Sequence, residues 1–204
     1  KEKGGIYYSG VRIEIADKQG NILTVIKPKT DAGYNPDIML PDFIGDGTQQ
    51  IFLSLESGGS GGFGFYYVYG FEDKNLKVMF DYEQFGKENC FEGRFLDGYR
   101  AEITDCKKTQ VYLLDLSLKP QDYKDMIWDK NGKLLKPVTV DVSGVNTAFP
   151  YYNSSEGHCQ LNVYQRVTGV ASAYALGYIN SQLTYGQNGF EIFFQTMMIY
   201  PDSL

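Results

Sequence analysis

Along most of this chain, apolar and polar residues alternate with a period of two. Val11, Ile13 and Ile15 share one face while Arg12 and Glu14 share the other, and Ile51, Leu53 and Leu55 alternate with Phe52, Ser54 and Glu56. Phe65, Tyr67, Tyr69 and Phe71 interleave with Tyr66, Val68 and Gly70. The pattern returns in Val138, Val140 and Val142, in Leu161, Val163 and Gln165, and in Phe190, Ile192 and Phe194. A period of two rich in β-branched and aromatic residues marks a half-buried strand. The expectation is an all-β fold. Helical signals are few. Pro120 suits a first helical position and, with Asp122, Tyr123, Met126 and Ile127, predicts about two turns. Asp81 with Gln84 reads as a capping box opening one turn through Phe85, and the Ala-rich stretch 170–176 is a third short candidate.

The strands are punctuated at a regular interval. Asp17-Lys18-Gln19-Gly20, Asp73-Lys74-Asn75 and Asp129-Lys130-Asn131-Gly132 are polar turns whose leading aspartates stand 56 residues apart; a further 56 reaches Tyr185, which opens Tyr185-Gly186-Gln187-Asn188-Gly189. Asn, Asp and Gly tolerate the positive φ of tight hairpins, so each site predicts a strand–turn–strand corner. A repeat of this period implies stacked β-modules or propeller blades. No Pro/Gly/Ser linker interrupts the chain, which predicts one β-repeat domain over 1–204. Its modules would be a partial 1–27, then 36–81, 91–142 and 145–204. The expected fold is thus all-β, of repeated antiparallel hairpin modules and propeller-like, with a two-sheet β-sandwich as the alternative.

Two celebrated glycine motifs are rejected on context. Gly58-Gly59-Ser60-Gly61-Gly62 satisfies G-x-S-x-G, and 59–64 satisfies G-x-G-x-x-G. Both need a strand–turn–helix setting, in which the helix N-terminus forms an oxyanion hole or cradles a pyrophosphate. Here the aromatic run from Phe65 follows, which is a strand, so the segment reads as an inter-strand loop.

The segment Asp42-Phe43-Ile44-Gly45-Asp46-Gly47-Thr48-Gln49-Gln50-Ile51, with its Gly/Ser-rich turn and aromatic strand, resembles a blade of the FG-GAP/VCBS-type repeats over residues 36–81. Such repeats build β-propellers, as in the integrin α head, and occur in many secreted bacterial proteins. In those blades a D-x-D-x-D-G-x-x-D loop binds calcium. The resemblance carries over Asp42 and Asp46, with Gly47 keeping the turn, while Ile44 and Gln50 stand where two further carboxylates belong. A hard cation loses most of its affinity when half the charge is gone. The expectation is a degenerate calcium-type loop, unoccupied and held by Asx hydrogen bonds.

Composition narrows the function. The net charge is −6, and the 19 Lys and Arg are scattered without a basic stripe, which argues against a nucleic-acid partner. No apolar run approaches the roughly 20 residues of a membrane-spanning helix. With 17 Tyr, 23 Gly and 13 Phe against one His and one Trp, the composition suits an extracytoplasmic β-protein, secreted or anchored at a cell surface. The start Lys1-Glu2-Lys3-Gly4-Gly5 has no initiator Met and fits removal of a signal peptide or anchor.

Cys90, Cys106 and Cys159 form no C-x-x-C, and with a single histidine a structural zinc site is not indicated. His158 and Cys159 are neighbours whose side chains leave a strand on opposite faces, a poor catalytic dyad. Cys90 and Cys106 are a disulfide candidate. Asp97-Gly98 is a turn signal, and a three-residue loop 97–99 pairs residues whose numbers sum to 196, Cys90 with Cys106 among them. A two-residue loop would instead pair Cys90 with Asp105.

No catalytic signature and no cofactor motif remains. The expected function is a non-catalytic extracellular or surface binding module for a protein or glycan. The alternative is a glycan-directed hydrolase using carboxylates on loops at one rim. A deep pocket with convergent acids would favour the hydrolase, and an exposed aromatic patch the binding module.

Overall fold

The computed structural model describes residues 6–171 and 173–200, so the Lys1 to Gly5 start lies outside the described residues. The chain is all-β. Its strands are β1 (Tyr7–Tyr8), β2 (Ile13–Ala16), β3 (Ile22–Ile26), β4 (Gly33–Met39), β5 (Ile51–Glu56), β6 (Gly64–Glu72), β7 (Asn75–Asp81), β8 (Phe91–Leu96), β9 (Arg100–Asp105), β10 (Val111–Asp115), β11 (Thr139–Asn153), β12 (His158–Thr168), β13 (Ala175–Gly186) and β14 (Gly189–Ile199). Two short helices, α1 (Tyr82–Glu88) and α2 (Gln121–Asp125), serve as connectors.

The strands form a five-stranded sheet in the order β1-β4-β5-β6-β7, a seven-stranded sheet in the order β10-β9-β8-β11-β12-β13-β14, and the β2–β3 hairpin. Two principal antiparallel sheets fit the two-sheet alternative. The chain gathers into two compact units. The first holds the chain up to Tyr82 with Thr147–Leu161 and Thr184–Glu191; the second holds Glu83–Asn146, Asn162–Leu183 and the chain from Ile192 onward. These units do not follow the four sequential modules, because the long strands β11, β12, β13 and β14 each contribute to both.

All four turns at the 56-residue interval are hairpin corners, and the first and third share one hydrogen-bond pattern. In the first, Asp17 Oδ1 accepts from the Gln19 and Asn21 amides, and the Asn21 amide oxygen of the main chain accepts from the Asp17 N–H. The third turn is its copy. Asp129 Oδ1 accepts from the Asn131 and Lys133 amides, and the Asp129 N–H donates to the Lys133 carbonyl. That third corner closes an isolated Trp128–Leu134 bridge rather than two full strands. At the second corner, Asp73 and Lys74 take φ of 49° and 65°, the two-residue turn that matches strand twist. The fourth joins β13 to β14 through Gln187 and Asn188.

In the first unit, Ile13, Ile26, Leu53, Leu55, Tyr67 and Tyr69 make a core. Ile13 and Ile26 are cross-strand partners in the β2–β3 hairpin, which shows why the alternation in β2 places its isoleucines inward. The Tyr67 hydroxyl reaches the Thr30 amide, so this large ring is buried with its polar end satisfied.

In the second unit the core draws on every strand of the seven-stranded sheet. Phe95 comes from β8, Ala101 and Ile103 from β9, Leu114 from β10, Val140 from β11, Val167 from β12, and Leu176 and Ile179 from β13, with Met197 of β14 packed against them. A sheet whose two edges face one core has curled on itself. It is a nearly closed barrel, with Ile127 and Trp128 after α2 filling its interior. The Trp128 indole N–H donates to the Leu96 carbonyl.

Helix expectations differ in detail. α1 begins after Asp81 but runs seven residues, beyond the single turn expected. The described residues of the stretch 170–176 form no helix: Gly169 N–H donates to the Tyr174 carbonyl and Tyr174 N–H to that of Ala171, closing a turn, and β13 begins at Ala175. Gly169 sits so close to the Tyr123 phenol that a Cβ would collide with it.

Candidate functional site

The 42–50 loop is organised by its own side chains. Asp42 Oδ1 accepts from the Gly45 amide at 2.6 Å and Oδ2 from the Gly47 amide at 2.8 Å, while Asp46 Oδ1 accepts from the Thr48 amide at 2.7 Å. Gln50, where the resemblance calls for a carboxylate, is buried: its Oε1 accepts from the Phe43 amide and its Nε2 donates to the Thr48 carbonyl. Gly45 and Gly47 have φ of 82° and 83°, the left-handed conformation that lets the amides turn toward Asp42. Among the described residues, no group of three or more His, Cys, Asp or Glu side chains converges as a cation site would require.

His158 packs against this same loop, with Nδ1 near the Glu156 carbonyl and Nε2 3.4 Å from Thr184 Oγ1. Cys159 is a half-buried free thiol whose amide donates to the Asp42 carbonyl. The 58–64 glycine segment is the β5–β6 connection, with Ser57 N–H donating to the Phe63 carbonyl; a strand follows it, as the rejection of both motifs requires.

The β8–β9 hairpin adopts the register in which partners sum to 196, from Leu96 with Arg100 to Phe91 with Asp105. Gly98 and Tyr99 in its loop both have positive φ. One step beyond the ladder, Cys106 N–H donates to the Cys90 carbonyl and the two sulfurs are bonded, with Cα atoms 5.5 Å apart.

Two surfaces of the second unit remain as candidates. One is a trough of about 610 Å³ on the solvent face of β8, β9 and β11, lined by Glu92, Arg94, Glu102, Thr104 and Asp141. Alternation places these side chains outward, since Gly93 and Val140 between them face the core. One of its three acids is engaged by a cation: Arg94 donates twice to Glu102 Oε1, with Nη2 at 2.8 Å and Nε at 3.0 Å.

The other is the place where the barrel fails to close. β10 and β14 are the sheet's two edges, and among the described residues no backbone ladder joins them. They touch through side chains, the Tyr112 hydroxyl lying 3.4 Å from Gln195 Oε1. A cavity of about 190 Å³ lies at one end, lined by Phe91, Gln110, Ile192, Gln195 and the disulfide. Burial pushes the Tyr112 hydroxyl pKa up. Both edges are apolar and uncovered: Val111 and Leu113 on β10, and Phe193, Phe194, Met198 and Ile199 on β14, the last 64% exposed. The sequence showed the β14 alternation but not that this strand is an edge, because closure depends on pairings between strands more than 80 residues apart.

A family model described as the YybI C-terminal domain matches residues 89–198, a span that takes in the strands of the nearly closed sheet except for the last residue of β14. A relative described as uncharacterized protein YybI of Bacillus subtilis (strain 168) is 26% identical over 201 residues, 98% of this chain and 77% of the relative. No solved structure matches.

Proposed function

This chain belongs to the YybI C-terminal domain family, and from that premise we propose that it is a non-catalytic binding module that recognises a polypeptide at the bacterial cell exterior. The observation that carries the reading is the uncovered edge of β14. From Ile192 to Ile199 this strand has no charge, no proline and no glycine, and its large apolar side chains lie open. Sheet edges are normally protected by charge, proline, bulges or brevity, because their unpaired amides and carbonyls recruit other chains. In the five-stranded sheet the edges have such protection: β1 has two residues, and β7 carries Lys77, whose ammonium pairs with Glu72 at 3.0 Å, while β10, open like β14, is only five residues long. A long apolar edge without protection supports a role in polypeptide recognition.

An exterior location is supported by the Cys90–Cys106 bond, which persists in oxidising compartments and is rare where thiols are kept reduced. Against the hydrolase alternative stands the ion pair that engages Glu102 with Arg94 in the trough. The test sets the purified chain on a peptide array, a glycan array and a panel of chromogenic glycosides. Binding is expected on the peptide array and should be lost in the Phe194→Lys/Met198→Lys variant, with the glycosides left intact. Glycoside cleavage that disappears in Glu92→Gln would overturn the proposal.

A further inference from the structure

The open seam between β10 and β14 has a direction, and the direction identifies what fits it. β10, β9, β8 and β11 pair antiparallel in turn. β11, β12, β13 and β14 follow one another through short connections, which only antiparallel neighbours allow; parallel ones need a crossover of a dozen or more residues. Direction therefore alternates across all seven strands. With an odd number of strands, the first and last run the same way.

The sheet cannot close on itself as an antiparallel barrel. Joining β10 directly to β14 would require one parallel ladder in an otherwise antiparallel sheet. A single added strand, antiparallel to both, resolves the mismatch and gives eight strands, the number whose interior side chains just fill.

We propose that the seam between β10 and β14 binds one extended segment of a separate polypeptide, which enters as the eighth strand of this barrel. The inference rests on the binding-module reading and names its site and partner chemistry. Inward, the segment would lie between Tyr112 and Gln195 and beside Met197, where the core is only half covered. Outward, it would be flanked by Val111 and Leu113 on one side and by Phe194 and Met198 on the other, all exposed. The neighbours are uncharged apart from Asp115, exposed at the end of β10, so the incoming stretch is largely uncharged and apolar. The length of β10 sets the doubly paired stretch at five residues.

The probe is a library of phage-displayed random heptapeptides selected on the full chain, with binding sites located by hydrogen–deuterium exchange. In the free protein the edge amides of β10 and β14 should exchange faster than those of β9, β12 and β13. Selected peptides should be uncharged and rich in β-branched and aromatic residues, and should slow exchange in β10 and β14 together. Leu113→Lys and Phe194→Lys should each weaken binding at least tenfold, and Arg94→Ala, out on the trough, should not. Enriched peptides that protect some other surface would overturn the seam while leaving the binding-module reading intact. No enrichment at all would remove both. Concentration-dependent dimerisation that protects the seam would make the occupant a second copy, and so overturn the assignment to a separate polypeptide.

Discussion

At the scale of single residues, aspartate side chains fix the turns. Asp17, Asp115 and Asp129 have carboxyls held below the ordinary carboxylate range: Asp17 mainly by the Asn21 side-chain amide, Asp115 by the Ser117 amide and Asp129 by the Lys133 amide. A folded-state pKa below the unfolded value of about 3.9 means that the carboxylate's stabilisation is complete above that value. It is lost as pH falls through the folded pKa. The Tm of Asp129→Ala should therefore lie below that of the parent at pH 7, with the gap closing as pH drops from about 4 to 2. A gap of constant size would show that the charge is not what matters. Gly177 offers a second test. With φ of 157°, it passes so close to β14 that a Cβ would strike the Met198 carbonyl. Gly177→Ala should cost roughly 1–3 kcal/mol, as overpacking does, and denaturant titration measures it. A change within error would mean that β14 yields there freely.

At the scale of elements, hairpins do the local work. The Cys90–Cys106 bond spans 16 residues. Closing a loop of that length contributes about 3 kcal/mol in the chain-entropy model. Unfolding without reductant should expose one reactive thiol, Cys159, and reduction should lower Tm by several degrees; three thiols before reduction would contradict the bond. The 42–50 hairpin approach gives the complementary test. Both Asp42 oxygens already accept backbone amides, so millimolar calcium should leave Tm unchanged, whereas a ligand bound only to the native state must raise it.

At the scale of the whole molecule, the sequence made period and punctuation legible, and left closure hidden. Alternation located the strands because each is half-buried, and the Asx turns located corners because their hydrogen bonds are local. The β8–β9 register could be written from one loop length. How many strands share a sheet, and which become edges, depends on pairings such as β8 with β11, whose partners Arg94 and Thr139 lie 45 residues apart with no local signal between them. Hence a 56-residue spacing of turns is real in the chain while its corners fall in three different sheets and, at the third, outside all of them. The uncovered edge also has a bulk consequence. Phe194→Lys/Met198→Lys should leave the thermal unfolding of the whole chain nearly unchanged, since both side chains are solvent-facing. A large fall in Tm would assign them to packing instead.

The cysteine spacing also bears on the order in which the chain is made. Three thiols allow three pairings, and only one of them is local. Cys106 follows Cys90 by 16 residues, whereas Cys159 is synthesised 53 residues after Cys106. A chain emerging from its N-terminus presents Cys90 and Cys106 to each other, across a hairpin that needs nothing downstream, before the third thiol exists. Vectorial emergence therefore favours the native partner without an isomerase to choose it, and the strands that follow are laid against a hairpin already fastened.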